Sequence, residues 1–145
     1  MRICIIAVGK LKERGLREVL DDYMARVRRH VPCDEIEVKE GKNDEQALRA
    51  AIPSGALVVA LEIDGRELDS AGFAKQLERW GSTGKGVVAF LIGGADGLPK
   101  GLSREAQARL SLSKMTFAHR VARVVLAEQI YRAITIMRGE PYHRA

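Results

Sequence analysis

The stretch GVVAFLIGGADGLPKGLSREAQARLSLSKMTFAHRVARVVLAEQIYRAITIMR, residues 86–138, decides the fold. Its apolar run at 87–92 predicts a buried parallel strand, and the glycine pair Gly93-Gly94 predicts a tight loop directly after it. Three elements follow: a short helix at about 103–108, an alternating segment at 109–113 and a long helix at 121–138. Because ligands of open α/β sheets bind beyond the carboxyl ends of the strands, we place the candidate site at the loops after these two strand-like segments.

The rest of the chain alternates between strand-like and helix-like segments. Short apolar or alternating runs predict strands, and apolar residues at helical spacing predict helices. The predicted strands are 3–8, 33–38 and 56–61, and the predicted helices are 16–30, 44–52 and 70–81. This order predicts one doubly wound α/β domain, a parallel sheet flanked by helices, over residues 1–145.

Two local patterns give more detailed expectations. The strand at 33–38 alternates between apolar residues and Glu35 and Glu37, so we expect it half-exposed toward the sheet edge. Asn43 or Asp44 is expected to cap the second helix, and Asp69 or Ser70 the third.

The charge of the chain favours an anionic partner. The formal net charge is +5 and the isoelectric point is near 9.5. Solubility alone explains such a balance as well, but after residue 100 eight arginines and lysines stand against only three acidic residues. A basic face beside the candidate site makes nucleic acid the first candidate partner.

Composition also bears on the compartment. Cys4 and Cys33 lie in strand-like contexts without disulfide or metal spacing, so we expect buried thiols in a reducing cytoplasm and no bound metal. The apolar run near the start is too short for a signal peptide, and no run is long enough to cross a bilayer. We expect a cytosolic protein that does not contact a membrane.

Two glycine-containing loops follow predicted strands. LIGGADG at 91–97 lacks the Gly-Lys-Ser/Thr of a P-loop and the spacing of a dinucleotide site, so taken alone it is a weak signal, and a tight turn is the alternative. Together with LEIDG at 61–65 it favours a ligand site. Glycines let main-chain groups approach a flat ring, which suits an adenine pocket.

The segment after the second strand offers further candidates, each with a structural alternative. LSKMTF at 112–117 is equally consistent with an edge strand. His119, at a loop-to-helix junction, is either structural or a proton-transfer group. The final PYHRA either frays or stacks its aromatic ring on an unpaired RNA base.

The long helix at 121–138 is apolar on more than one face, which predicts a second subunit that covers it. Glu128 and Arg132 stand at i,i+4 with the acid first, and we expect at least a modest surface salt bridge.

Five pieces of the chain together resemble one family, the ribosomal RNA large-subunit methyltransferase H proteins of the SPOUT class. The pieces are IIAVGK at 5–10, LEIDG at 61–65, LIGGADGL at 91–98, LSLSKMTFAHRVARVVLAEQIYRA at 110–133 and PYHR at 141–144. The resemblance implies a C-terminal deep trefoil knot that holds S-adenosylmethionine, which the general rarity of threaded backbones would otherwise exclude. It further implies a homodimer that methylates N3 of a pseudouridine in 23S ribosomal RNA on assembled ribosomes.

The resemblance also implies roles for residues at the matching positions. The cofactor-binding residues would be Leu61, Gly93, Leu112, Ser113, Lys114, Met115, Thr116 and Phe117. The catalytic residues would be His119, Arg123, His143 and Arg144, and Arg120, Arg132 and Tyr142 would bind the substrate, with the tail reaching the partner's site. A nucleotide hydrolase and a non-catalytic RNA-binding module are the alternatives; the first lacks a P-loop lysine, and the second leaves the paired loops unexplained.

Overall fold

The computed structural model describes residues 1–144, and for His143 its main chain alone. Strands and helices alternate along the chain. In order they are β1 (Arg2–Val8), α1 (Arg14–Arg28), β2 (Cys33–Val38), α2 (Asp44–Ala51), β3 (Leu57–Glu67), α3 (Ser70–Gly81), β4 (Val87–Ile92), α4 (Lys100–Glu105), β5 (Ala108–Ser111) and α5 (His119–Met137). A terminal turn, Pro141–Arg144, follows α5.

The strands within residues 1–144 form a five-stranded sheet in the order β2-β1-β4-β3-β5, and all neighbouring strands are parallel. The apolar run that opens the deciding stretch becomes β4, the central strand, flanked by β1 and β3. The predicted α/β fold with a parallel sheet flanked by helices is confirmed. The strand at 33–38 is an edge strand, as expected.

Each strand supplies both faces of the sheet because successive side chains point in opposite directions. On one face, Ile5 and Phe90 pack against α1, α3 and α5. On the other face, Ile6 and Leu91 pack in a second cluster with Leu48 of α2 and Leu102 of α4. Both faces are therefore covered, which explains why the inner strands are almost continuously apolar.

Three details differ from the sequence expectations. The short helix lies at Lys100–Glu105 and not at 103–108: it begins directly after Pro99, and Gln107 already accepts a hydrogen bond from Val58 N–H (2.6 Å), which ties this segment to β3. β3 extends to Glu67 because it resumes its pairing with β5 after an interruption between Leu61 and Arg66. α2 begins at Asp44, and the side chain of Asn43 makes no capping bond, whereas Asp69 caps α3 through Gly72 N–H (2.7 Å), as expected.

The chain itself covers most of α5. Leu126, Ile130 and Ile134 are buried against α1 and α3 of the same chain, and Val121, 39% exposed, lies near the start of the helix. Val124, Val125 and Met137 are only partly buried, so the helices of the same chain leave part of α5 uncovered, and the partner subunit stays a prediction.

The described residues also bear on thiols, metals and membranes. Cys4 and Cys33 are both free and buried, as expected, and burial raises the pKa of Cys33 to about 12. Among the side chains that the structure describes, which exclude that of His143, no group of three His, Cys, Asp or Glu is placed to hold a metal ion. No helix in the described part of the chain has the length and apolar character to span a membrane.

Candidate functional site

A cavity of about 370 Å³ lies at the carboxyl ends of β4 and β5 and beside the interruption of β3 after Leu61. Parallel strands present their carboxyl ends at the same edge of a sheet, so three loops meet there although they are distant in sequence. The first wall is Leu61–Ile63, the second is the loop from Gly93 to Leu98, and the third is the segment from Ser111 to the first turn of α5. The cavity lies where the sequence predicts a ligand.

The second wall folds tightly on itself. A Cβ atom placed on Gly93 would lie 2.3 Å from the carbonyl carbon of Gly97 and 2.5 Å from the amide nitrogen of Leu98. Gly97 has a positive φ of 79°, and its N–H donates to the carbonyl of Gly94 (3.0 Å). The main chain at Gly93 therefore approaches the opposite side of its own loop more closely than any side chain permits.

The first wall is the interrupted part of β3. Pairing with β5 breaks between Leu61 and Arg66, and a Cβ atom on Gly65 would lie 2.8 Å from main-chain atoms of Arg109 and Leu110. Glu62 and Ile63 line the cavity at this interruption. The bulge therefore forms part of the cavity wall.

The third wall joins β5 to α5. Ser111 Oγ donates to the carbonyl of Ser113 (2.9 Å), and Ser113 Oγ accepts from the N–H of Met115 (2.9 Å), so the chain turns sharply after the strand. Met115 is 76% exposed and Phe117 is 36% exposed, and both line the cavity. Large apolar side chains left exposed at a cavity are typical of a binding surface.

His119 stands at the junction of the third wall and α5. Ala118 before it is extended, and His119 opens the helix, half-buried and in the cavity wall together with Ala122. Its neighbour Arg120 is exposed and forms an ion pair with Glu13 (2.8 Å). An imidazole is therefore held at the edge of the cavity, beside a cation that faces solvent.

Arg123 lies one turn beyond His119 but not in the cavity wall. It is 1% exposed, and its guanidinium binds the carboxylates of Glu35 and Glu37 and the carbonyl of Gly9 (3.0 Å). Arg17 of α1 contacts the same two carboxylates, and its hydrogen bond to Glu35 is the main cause that raises its pKa.

The last residues fold against α5 at its other end. Tyr142 donates a hydrogen bond to Glu128 (2.7 Å), its hydroxyl lies 3.2 Å from that of Tyr23, and its ring meets Tyr131 edge-on with centroids 4.7 Å apart. Arg132, paired with Glu128 (2.7 Å), lies 4.9 Å from the centre of the Tyr142 ring. Burial and these bonds raise the pKa of Tyr142. The ion pair expected between Glu128 and Arg132 is confirmed, but it is partly buried and belongs to the anchor of the tail.

Comparisons with known proteins identify the family of this chain. The family described as "Predicted SPOUT methyltransferase" matches residues 1–143. The chain belongs to the SPOUT methyltransferase family. This SPOUT protein is 54% identical over 143 residues to a protein of Sorangium cellulosum named ribosomal RNA large subunit methyltransferase H, with 98% of this chain and 99% of the relative covered. The protein of that name from Dinoroseobacter shibae is 41% identical over 155 residues, with 99% of each chain covered.

A solved structure supports the fold of this SPOUT methyltransferase, and only the fold. A probable methylase family protein from Haemophilus influenzae superposes with a TM-score of 0.57 at 13% identity, covering 97% of this chain and 69% of that one. The resemblance inferred from the five sequence pieces is thus confirmed at the level of the family.

The structure of the SPOUT chain brings together some of the candidate site residues and separates others. The cavity wall contains Leu61, Gly93, Leu112, Ser113, Met115, Thr116, Phe117 and His119. Lys114 is exposed in the same segment outside the wall. Arg132 and Tyr142 lie together at the far end of α5: the 13 residues from His119 to Arg132 span roughly 20 Å of helix. Arg144 is exposed near them, and the side chain of His143 lies outside the described residues.

Sequence reasoning missed two groups of this SPOUT site. The first is the remaining wall residues, among them Glu62, Ile63 and Leu98; their position next to the two glycine loops was the available signal. The second is the pair Glu35 and Glu37. Their alternation in β2 predicted a solvated face, and the pattern carries no sign that two buried or half-buried arginines neutralise them.

Proposed function

We propose that this protein transfers a methyl group from S-adenosylmethionine to N3 of a pseudouridine in 23S ribosomal RNA, the one at position 1915, on assembled ribosomes in the cytoplasm. The observation that carries the proposal is the cavity formed by three strand-end loops in a chain whose relatives bear the name of large-subunit RNA methyltransferases. We take residues 1–145 as a single methyltransferase domain.

The cavity suits S-adenosylmethionine in size and lining. Its volume, about 370 Å³, lies in the range of small-molecule pockets. Glycine at 93 leaves main-chain groups free to approach a flat ring, and Leu61, Leu112, Met115 and Phe117 offer apolar surface. We assign cofactor binding to Leu61, Gly93 and the run 112–117, with Lys114 at its outer side. When bound, the cofactor supplies a sulfonium methyl group that leaves behind a neutral thioether.

We also propose that the backbone threads through itself as the family fold implies. β5 lies at the sheet edge beside β3, whereas α5, which follows β5, packs on α1 and α3 on one face. The segment 112–118 must therefore cross the carboxyl ends of the inner strands. The close approach of Gly65 to the main chain of Arg109 and Leu110 supports a tight crossing at this point.

The residues of the protein have to prepare the nucleophile. N3 of the base carries a proton at neutral pH, and this proton must leave before nitrogen can attack carbon. We assign the removal of this proton to the imidazole of His119 in the cavity wall, or to that of His143 from the tail. Arg144 stabilises the negative charge that develops on the flanking carbonyl oxygens of the base.

The tail acts in the second subunit of a homodimer in this proposal. Tyr142 is bound to Glu128, about 14 Å along α5 from His119, so Arg144 lies far from the cavity of its own chain. The RNA-binding group then consists of Arg120 at one cavity and of Arg132, Tyr142 and Arg144 from the partner chain. Each site is completed only when two chains associate.

A direct assay tests the activity. Ribosomes from a strain that lacks the modification are incubated with the protein and S-adenosylmethionine labelled in the methyl group, and the labelled nucleoside is identified by mass spectrometry. We expect label in methylated pseudouridine of 23S RNA.

Equilibrium titration with ATP and with S-adenosylmethionine separates the alternatives, because a nucleotide hydrolase binds ATP and a plain RNA-binding module binds neither.

Mixed dimers test the shared site. His119→Ala and Arg144→Ala chains are inactive alone, but a heterodimer of the two holds one intact site, made of the wall of one chain and the tail of the other. Equal mixing should restore about a quarter of the wild-type activity, because about half of the dimers are mixed and each has one of two sites. No recovery on mixing contradicts the exchange of tails.

A further inference from the structure

Four charged side chains form a cluster beneath the first turn of α5. Glu35 and Glu37 come from β2, Arg17 from α1 and Arg123 from α5. Arg123 Nη1 lies 3.2 Å from a carboxylate oxygen of Glu35 and also binds Glu37. Arg17 Nη1 lies 3.6 Å from Glu37 and its guanidinium also binds Glu35. Arg17 also pairs with Asp21 of its own helix (2.8 Å), so the two guanidiniums are neutralised by three carboxylates.

The cluster also fastens the loop between β1 and α1. The second guanidinium nitrogen of Arg123 donates to the carbonyl of Gly9 (3.0 Å), and Glu37 accepts a hydrogen bond from the N–H of Leu11 (2.7 Å). Leu11 is itself buried. Arg123 is therefore the point at which α5 joins the carboxyl ends of β1 and β2.

Burial strengthens the contacts by which Arg123 attaches α5 to the ends of β1 and β2. Arg123 is 1% exposed, so its charge has little access to water and depends on the two carboxylates. Separating a buried charge from its partners costs far more than breaking a surface pair, because the remaining charges stay desolvated. Arg123 Nε has no hydrogen-bond partner among the described residues, so the guanidinium is held through its two terminal nitrogens.

Helix geometry relates the position of Arg123 to that of His119 in the cavity wall. His119 and Arg123 stand at i,i+4 and so lie on the same side of α5, about 6 Å apart along its axis. His119 and Ala122 line the cavity, and Arg123 does not. A rotation or shift of the first turn would carry the imidazole with it.

We propose that Arg123, together with Glu35 and Glu37, is a positioning residue that fixes the first turn of α5 and thereby the imidazole of His119 at the cavity. It acts through His119 and does not contact the nucleotide. The part of the test that uses turnover rests on the proposed function, whereas the spectroscopic part does not.

The spectroscopic experiment uses the full-length protein with ¹³C-labelled histidine. The chain has three histidines, and His119→Ala assigns the Cε1–H signal of His119. We expect Arg123→Lys and Glu37→Gln each to shift or broaden this signal while that of His30 stays in place. Arg49→Lys is the matched control, since Arg49 also pairs with two glutamates but lies on the other face of the sheet.

The kinetic experiment separates positioning from contact. Displacing a catalytic group by about 1 Å can lower the reaction rate about 10²-fold. We therefore expect Arg123→Lys to lower kcat about 10- to 100-fold, while the Kd for S-adenosylmethionine changes less than about threefold. In a His119→Ala background the same substitution should change kcat less than about twofold, because residues that act as a unit are not additive. Glu37→Gln should follow the same pattern.

Distinct outcomes overturn the inference. An unmoved His119 signal in both Arg123→Lys and Glu37→Gln refutes it, and so does a kcat loss of Arg123→Lys that is undiminished in the His119→Ala background. Circular dichroism and thermal melting verify that the conservative variants fold. If the His119 signal moves as expected while the wild-type protein transfers no methyl group, the positioning role stands and the proposed function fails.

Discussion

The loop at Gly93 allows a sharp prediction about cofactor affinity. In Gly93→Ala the new methyl group would lie 2.3 Å from the carbonyl carbon of Gly97 and 2.5 Å from the nitrogen of Leu98. Carbon atoms in contact normally stand about 3.5–4.0 Å apart, so the two sides of the loop must separate by about 1 Å or more. The obstacle is main chain on both sides, so no side-chain rotation relieves it.

We expect the loop, and not the strand before it, to move. Ala95, Asp96 and Gly97 are exposed, whereas the strand before them is buried. The overpacking, typically about 1–3 kcal/mol, should therefore displace the outer side of the loop and leave the sheet in place. Because that loop is one wall of the cavity, the cost appears in cofactor binding. Each 1.4 kcal/mol is tenfold, which gives a Kd for S-adenosylmethionine raised about 5- to 150-fold.

Isothermal titration calorimetry with S-adenosylmethionine measures the effect, and thermal melting reports on the fold. Gly15→Ala is the matched control: it lies in α1, and an added Cβ there meets no atom within 4 Å. We expect wild-type affinity for the control. If Gly93→Ala binds the cofactor as tightly as the wild type while both variants fold, the assignment of this loop to cofactor binding is refuted.

Three further predictions concern His119, Tyr142 and Cys33. His119→Ala should lower methyl transfer about 10²- to 10⁴-fold with nearly unchanged affinity for S-adenosylmethionine, and a large loss of affinity instead would contradict its assignment to proton transfer. Tyr142→Phe removes a hydrogen bond to a charged acceptor, about 1.5–3 kcal/mol, so trypsin should cut after Arg138 faster than in the wild type while cofactor affinity is kept; an unchanged cleavage rate argues against the anchor. Burial raises the folded pKa of Cys33 from 9.0 to about 12, so its contribution to stability is complete below pH 9 and is lost as the pH rises toward 12, roughly 4 kcal/mol in full. Urea unfolding at pH 8 and pH 11 should show a smaller pH-dependent loss in Cys33→Ala than in the wild type, and equal losses would contradict this.

The sheet and the place of the cavity could be predicted from local patterns. The run at 87–92 is apolar without a break and ends at a glycine pair, which fits a strand covered on both faces and followed by a tight loop. The cavity follows from topology, because parallel strands bring their carboxyl ends to one edge.

The environment of Arg123 could not be predicted in this way. Its partners Glu35 and Glu37 lie 88 and 86 positions away in sequence, and alternating glutamates in a strand have the same pattern whether water or arginine neutralises them. What covers each face of α5 could not be predicted for a similar reason. An apolar helix surface indicates that something covers it, but periodicity does not distinguish the helices of its own chain from those of another.

The packing of α5 between α1 and α3 has a consequence for biosynthesis. Residues 14–81 supply both helices on which α5 packs, so they leave the ribosome before α5 has been translated. Until synthesis is complete, the nascent chain exposes the apolar groove between α1 and α3 to solvent. Long-range closure of this kind is slow and leaves apolar surface open to aggregation, so we expect the newborn chain to be most prone to aggregation before α5 docks.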